Sequence, residues 1–158
     1  MARFKFSMQK ILDMKEKLEK QEKNNFSQAN LRLMEAQEEL ERLRRRQEDK
    51  EQQLRDTVMQ LSDIREVRRQ EDAVEIVKMY VRQQQLVVLQ REKEAEVARR
   101  RLQEAMRERK TFDKLREKAY QAFLVEENLK EQKEVDELVS YRHSAGQLTA
   151  DYEIERMV

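Results

Sequence analysis

Residues 74–123 read VEIVKMYVRQQQLVVLQREKEAEVARRRLQEAMRERKTFDKLREKAYQAF, and their spacing decides the fold. Alternating steps of three and four residues land on Val74, Val77, Val81, Gln84, Val88, Arg91, Ala95, Ala98, Leu102, Ala105, Arg109, Phe112, Arg116, Ala119 and Phe123, and eleven of these fifteen are apolar. That alternation is the seam of a coiled coil. Toward the N-terminus the same count gives Phe4, Met8, Ile11, Lys15, Leu18, Glu22, Asn25 and Ala29. It then continues through Leu33, Ala36, Leu40, Leu43, Gln47, Lys50, Leu54, Thr57, Leu61 and Ile64. Two successive four-residue steps around Ala29 read as a stutter, which locally unwinds a supercoil. Past Phe123 the phase slips toward Leu129, Val135 and Leu138.

Composition points the same way. The 158 residues include one Gly, no Pro, no Cys and no Trp. Charged residues make up 42% and hydrophobic ones 38%, for a net charge of +1. Sheet architectures need many turns, and turns need Gly and Pro. An all-α chain of long helices is what this composition with a 3.5-residue repeat produces. Without cysteine there is no disulfide and no thiolate metal site, which suits a cytosolic protein. No run approaches the ~20 apolar residues of a membrane span. The opening MARFKFSMQKILDMKEK lacks the continuous apolar stretch of a secretory signal. Balanced charge predicts no strong pull toward nucleic acid or anionic membranes.

Residues 62–74, SDIREVRRQEDAV, separate two arms of similar length, and Ser62 and Asp63 are good helix N-caps. Two architectures fit: a hairpin bent near residue 68, or one helix of about 200 Å at ~1.5 Å per residue. Charge favours the hairpin. Residues 3–17 carry a net +3 and residues 126–137 a net −4, and a hairpin lays them side by side. The expected fold is therefore two long helices in an antiparallel coiled-coil hairpin over residues 1–146. Its arms are about 4–60 and 75–143, its tip is about 62–74, and Leu40, Leu43, Leu54, Leu102, Phe112 and Phe123 lie in the seam. Ser144, Ala145 and Gly146 are expected to end the second helix, since Gly favours the position past a helix C-terminus. Residues 147–158 then form a flexible tail.

No catalytic constellation is legible. One Gly cannot build a phosphate-cradling loop, a Cys nucleophile is absent, and the single His143 lies near a helix end. The expectation is a non-enzyme with no cofactor, no metal and no small-molecule substrate. Two arginine runs, Arg42 with Arg44–Arg46 and Arg99–Arg101, sit inside the heptads. They read as a salt-laced flank, as a basic ring meeting an acidic protein surface, or as a DNA grip like that beside a leucine zipper. A more informative feature is Ile76, Met79, Tyr80 and Val87, an apolar stripe on a face other than the seam. Either it is a partner site or a short third helix from residues 62–73 folds over it.

The opening FKFSMQKILDMKEKLE and the later KLREKAYQAFLVEENLKEQKEVDELV together resemble the FliJ family of the bacterial flagellar type III export apparatus. The matching positions are Phe4, Phe6, Gln9, Lys10, Leu12 and Lys15, and then Arg116, Glu117, Lys118, Phe123, Glu127, Lys133, Asp136 and Glu137, across roughly residues 4–140. The resemblance implies an antiparallel coiled coil like the central stalk of rotary ATPases. It also implies insertion into the pore of the flagellar export ATPase ring (FliI), contact with the export gate protein (FlhA), and recycling of export chaperones. The protein would then be cytoplasmic and peripherally associated with the inner-membrane export apparatus. The gate-binding region of the family falls near the start of the second helix, where Ile76, Met79, Tyr80 and Val87 lie. Resemblance to rotary stalks makes Lys10, Lys15, Lys133 and Glu137, at the end where the termini meet, the expected ring contacts. A monomeric hairpin follows. The competing readings are the equivalent stalk of a virulence secretion injectisome, a tropomyosin-like coiled-coil dimer, and a basic-zipper nucleic-acid binder.

Overall fold

The computed structural model describes residues 2–157. Two helices account for nearly all of it: α1, Gln9–Met59, and α2, Ile64–Met157. They pack against each other in an antiparallel hairpin, and no strand occurs among the described residues. The chain divides into two units. One is the hairpin of Lys15–Glu108; the other sets residues 2–14 against α2 from Arg109 to Met157.

Within Lys15–Glu108 the apolar contact is one side chain deep on each helix. Ala36, Leu40, Leu43, Val81 and Val88 form one buried cluster, with Leu33 against it. Ala29, Ala95 and Ala98 form the next, flanked by Phe26 and Leu33. Among the described residues no large side chain is fully enclosed, as expected where two cylinders touch along one line. Polar residues in the seam set its register. Gln84 Nε2 donates to the Ala36 carbonyl at 3.0 Å, and Lys15 Nζ pairs with Glu108 at 2.8 Å across the hairpin. In the other unit Phe4 packs edge-on to Tyr120 and tilted against Phe123, with centroids 5.2 and 5.4 Å away. The Arg116 guanidinium lies 5.7 Å from the Phe4 ring centre and Arg116 Nε donates to Gln9 Oε1 at 3.1 Å.

The seam of α2 follows the spacing read from the sequence. Of the fifteen positions from Val74 to Phe123, only Arg116 is exposed, and the line extends back through Gln70 to Val67. In α1 the structure corrects the reading. Buried and half-buried positions run Leu12, Lys15, Glu19, Glu22, Phe26, Ala29, Leu33, Ala36, Leu40, Leu43, Gln47, Lys50, Leu54 and Thr57 without a break in the three–four alternation. There is no stutter. Leu12 is 2% exposed, whereas Ile11 is 40% exposed and Leu18 also faces water. The apolar Ile11 and Leu18 drew the count one residue off because the true position, Glu19, is charged. Glu19 is buried with Lys23 Nζ at 3.5 Å.

The reversal spans residues 60–63 rather than lying near 68, and residues 64–74 are the first turns of α2, not a third helix. The Ser62 N–H reaches the Thr57 carbonyl at 3.4 Å and the Leu61 N–H the Val58 carbonyl at 3.2 Å, with Leu61 at φ 53°. These bonds make a Schellman cap with leucine where glycine is usual. Asp63 then begins α2, its carbonyl accepting from the Glu66 and Val67 N–H groups.

The earlier reversal shifts the pairing. Phe4 meets Tyr120 and Phe123, Gln9 meets Arg116, and Lys15 meets Glu108, all ahead of residues 126–137 on α2. The two oppositely charged segments are therefore not laid side by side. Nor does α2 end at Ser144–Gly146. It continues to Met157, with Thr149 Oγ1 accepted by the Ala145 and Gly146 carbonyls. A glycine inside a helix costs only about 1 kcal/mol relative to alanine, and Gly146 has ordinary negative φ.

Two outcomes follow for stability. Leu12→Ala should lower the unfolding free energy by about 2 kcal/mol and Ile11→Ala by less than about 1 kcal/mol, in chemical denaturation; equal losses would contradict the α1 register. Leu61→Gly should raise stability by about 0.5–1 kcal/mol, because glycine takes a left-handed conformation that costs other residues roughly 1–2 kcal/mol, less its larger unfolded-state entropy.

Candidate partner-binding surfaces

A two-helix hairpin has one seam, so any second apolar stripe meets solvent. On α2, Ile76, Tyr80 and Val87 fall within about 40° of one another at ~100° per residue, about 100° around the helix from the seam. Ile76 is 51% exposed and Tyr80 45%, with Met79 and Val87 also open to solvent. Helix geometry alone gathers Ile76, Tyr80 and Val87, with Met79 about 60° to one side, and among the described residues all four remain exposed. Leu86, unremarked in the sequence reading, is more exposed still at 67% and widens the same face.

The turn adds a second feature that sequence reasoning missed. Val58, Met59, Leu61 and Ile64 are all exposed, Leu61 at 92%. The seam count had run on through Leu61 and Ile64. The available signal was Ser62-Asp63: an N-cap there requires the preceding residues to be turn, and turn residues cannot lie in a seam. Between this turn and the stripe the exposed residues are charged: Arg65, Arg68, Arg69, Glu71, Asp72 and Glu75.

The four charged residues expected at the opposite end are not gathered. Lys15 is half-buried in its pair with Glu108. Lys10 is exposed and shares a shallow concavity with Arg116 and Phe4. Lys133 and Glu137 are exposed on α2, with Lys133 about 25 Å further along the helix than Arg116 at ~1.5 Å per residue.

In the arginine runs, Arg42, Arg45, Arg99 and Arg100 are laced to carboxylates on their own helices. Arg42 forks onto Glu39 at 2.8 and 2.6 Å, and Arg45 reaches Glu41 at 3.5 Å. Arg99 and Arg100 both reach Glu96. The hydrogen bond from Arg99 chiefly, and then its charge and Arg100, pull the Glu96 carboxyl down to about 2. The bond from Arg42 likewise lowers Glu39, and bonds from Arg91 and Gln90 lower Glu94, with Arg32 on α1 adding its charge. The concavities are open and shallow, as in the groove between Arg32 and Gln90, Lys93 and Arg101. Among the described residues no group of three or more His, Cys, Asp or Glu is placed to hold a metal ion, and no helix is long and apolar enough to cross a membrane.

The family model for the flagellar FliJ protein matches residues 4–148, which takes in α1, the turn and α2 as far as residue 148. The chain belongs to the FliJ family. It is thus a coiled-coil protein associated with flagellar export, in a family that is a non-catalytic component of that apparatus. No curated protein matches the chain, and no solved structure does.

The Glu96 cluster makes a pH statement. Its folded pKa lies below the ordinary value of 4.5, so its stabilisation is present above that value and lost as pH falls through about 2. A carbon-detected NMR titration should give Glu96 a midpoint near 2, and Arg99→Gln should move it back toward 4.5. A wild-type midpoint already in the ordinary range would show that the Arg99 fork does not persist in solution.

Proposed function

We propose that this chain is a non-enzymatic stalk and escort protein of the flagellar type III export apparatus. It enters the pore of the export ATPase ring, stimulates that ATPase, contacts the export gate protein, and recycles export chaperones. It works in the cytoplasm, peripherally associated with the inner-membrane apparatus. The match to the FliJ family over residues 4–148 carries this reading. The hairpin suits the role: a stalk turning or seated inside a ring needs stiffness and a solvated, salt-laced flank. It does not need a pocket.

The gate contact is assigned to Ile76, Met79, Tyr80 and Val87, with Leu86 beside them. Tyrosine and long aliphatic side chains on an exposed helix face favour a groove-type partner. The ring contact is assigned to the end that carries the termini. Lys10 beside Arg116, and Lys133 and Glu137 further along α2, are exposed on that side of the turn, and Lys15 supports its hairpin through Glu108.

The reading separates into two measurements. Ile76→Ser with Tyr80→Ser should leave stability within about 1 kcal/mol, weaken binding to the gate protein by about tenfold or more, and reduce motility. Stimulation of the ATPase should survive that change. It should drop when Lys10, Lys133 and Glu137 are reversed in charge together. Unchanged gate affinity in the first variant would remove the stripe from the assignment, and unchanged stimulation in the second would move ring docking to the turn end.

A further inference from the structure

We propose that residues 138–152 of α2 form a parallel two-stranded coiled coil with the same segment of a second copy of this chain. Beyond Phe123 α2 continues for more than thirty residues, and apart from the half-buried Glu127 and Ala145 every described residue there is exposed. Continuing the hairpin's own count lands on Glu126, Lys130, Lys133, Glu137, Ser140, Ser144, Gln147 and Asp151, with no apolar residue. One residue out of that register, the three–four alternation reappears as Leu138, Tyr141, Ala145, Leu148 and Tyr152. Leu138, Tyr141, Leu148 and Tyr152 are all more than 60% exposed. The stripe is bounded by Glu134 and Glu155, the positions where the alternation would continue. It lies about 100° around the helix from the hairpin seam, so it is a separate contact line and not an unpaired remainder of the first.

The flanking charges say what lies on it. With Leu138, Ala145 and Tyr152 as the a positions and Tyr141 and Leu148 as d, the g positions are Glu137, Ser144 and Asp151, and the e positions are Arg142, Thr149 and Arg156. In a parallel pair each g position meets the e position five residues on in the other helix, and these pairs set partner and orientation. Glu137 then meets Arg142 of the second copy, Ser144 meets Thr149, and Asp151 meets Arg156. Every pairing is complementary, and each occurs twice by symmetry. The antiparallel arrangement sets g against g and e against e. Glu137 then faces Asp151, and Arg142 faces Arg156, with like charges repelling. A segment that complements itself in one orientation only is suited to its own copy. Fewer than three heptads make a weak association, so the dimer forms as concentration rises, and the hairpin itself needs no second copy.

The full-length chain tests this directly. Sedimentation from about 10 μM to about 1 mM should show monomer passing into dimer. Glu137→Arg alone and Arg142→Glu alone should each weaken self-association by about fivefold to tenfold. An equimolar mixture of the two variants should recover it, because each then meets the opposite charge. The chain has no cysteine, so single cysteines report orientation. Leu138→Cys should form a disulfide with itself on mild oxidation, and so should Tyr152→Cys. Cross-linking mainly between the two variants when mixed would mean an antiparallel pair and overturn the proposal. A chain that stays monomeric at about 1 mM would also overturn it. So would charge variants that dimerise as wild type, or a Leu148→Asp variant that loses ATPase or gate binding while the wild-type chain never self-associates.

Discussion

Two helices touching along a line can bury one stripe each, and that limit governs this molecule. The seam is built largely from alanine, valine and leucine, and its members keep a few per cent of their surface in water even at the centre. Nothing lies behind them to complete a core. Hydrophobic gain per residue is correspondingly modest, and register is held as much by Gln84 on the Ala36 carbonyl and Lys15 on Glu108 as by packing. A polar group half-enclosed in a seam is costly when it loses its partner, so a shifted pairing is disfavoured although alanines and valines would tolerate it.

The same limit makes the remaining apolar residues informative. In a globular domain an extra leucine on a helix is absorbed by a neighbouring layer. Here Ile76, Tyr80 and Leu86 near the turn, and Leu138, Tyr141, Leu148 and Tyr152 near the other end, have no layer to join. Their exposure follows from the two-helix architecture itself. The flagellar export family to which the chain belongs is a non-catalytic component of that apparatus.

Much of this was legible in the linear chain. The α2 seam could be read residue by residue because apolar side chains dominate it and the alternation never breaks. The exposed Ile76–Val87 stripe followed from simple angular spacing. The α1 register near Leu12 was not legible, because apolar character alone cannot reveal a buried glutamate such as Glu19. The turn was misplaced for a related reason. Leu61 occupies a left-handed cap that glycine normally marks, so the usual punctuation was missing. The error of a few residues at the turn propagated along both arms and set residues 3–17 against the wrong partners. Gly146 misled in the opposite sense, as punctuation that the helix ignores.

The position of the capped reversal at Leu61 also orders assembly in time. Closing a chain segment costs entropy that grows with the number of residues enclosed. Contacts beside residues 60–63 enclose few residues, and the pairing of Phe4 with Phe123 encloses nearly the whole of both arms. Each seam contact brings the next within reach, so the hairpin closes as a zipper that starts at the turn. Local contacts of this kind favour fast folding. Opening proceeds in reverse, and the aromatic clasp of Phe4, Tyr120 and Phe123 is the last to close and the first to release. Resistance to opening is therefore graded, greatest beside residues 60–63 and least at the Phe4 clasp.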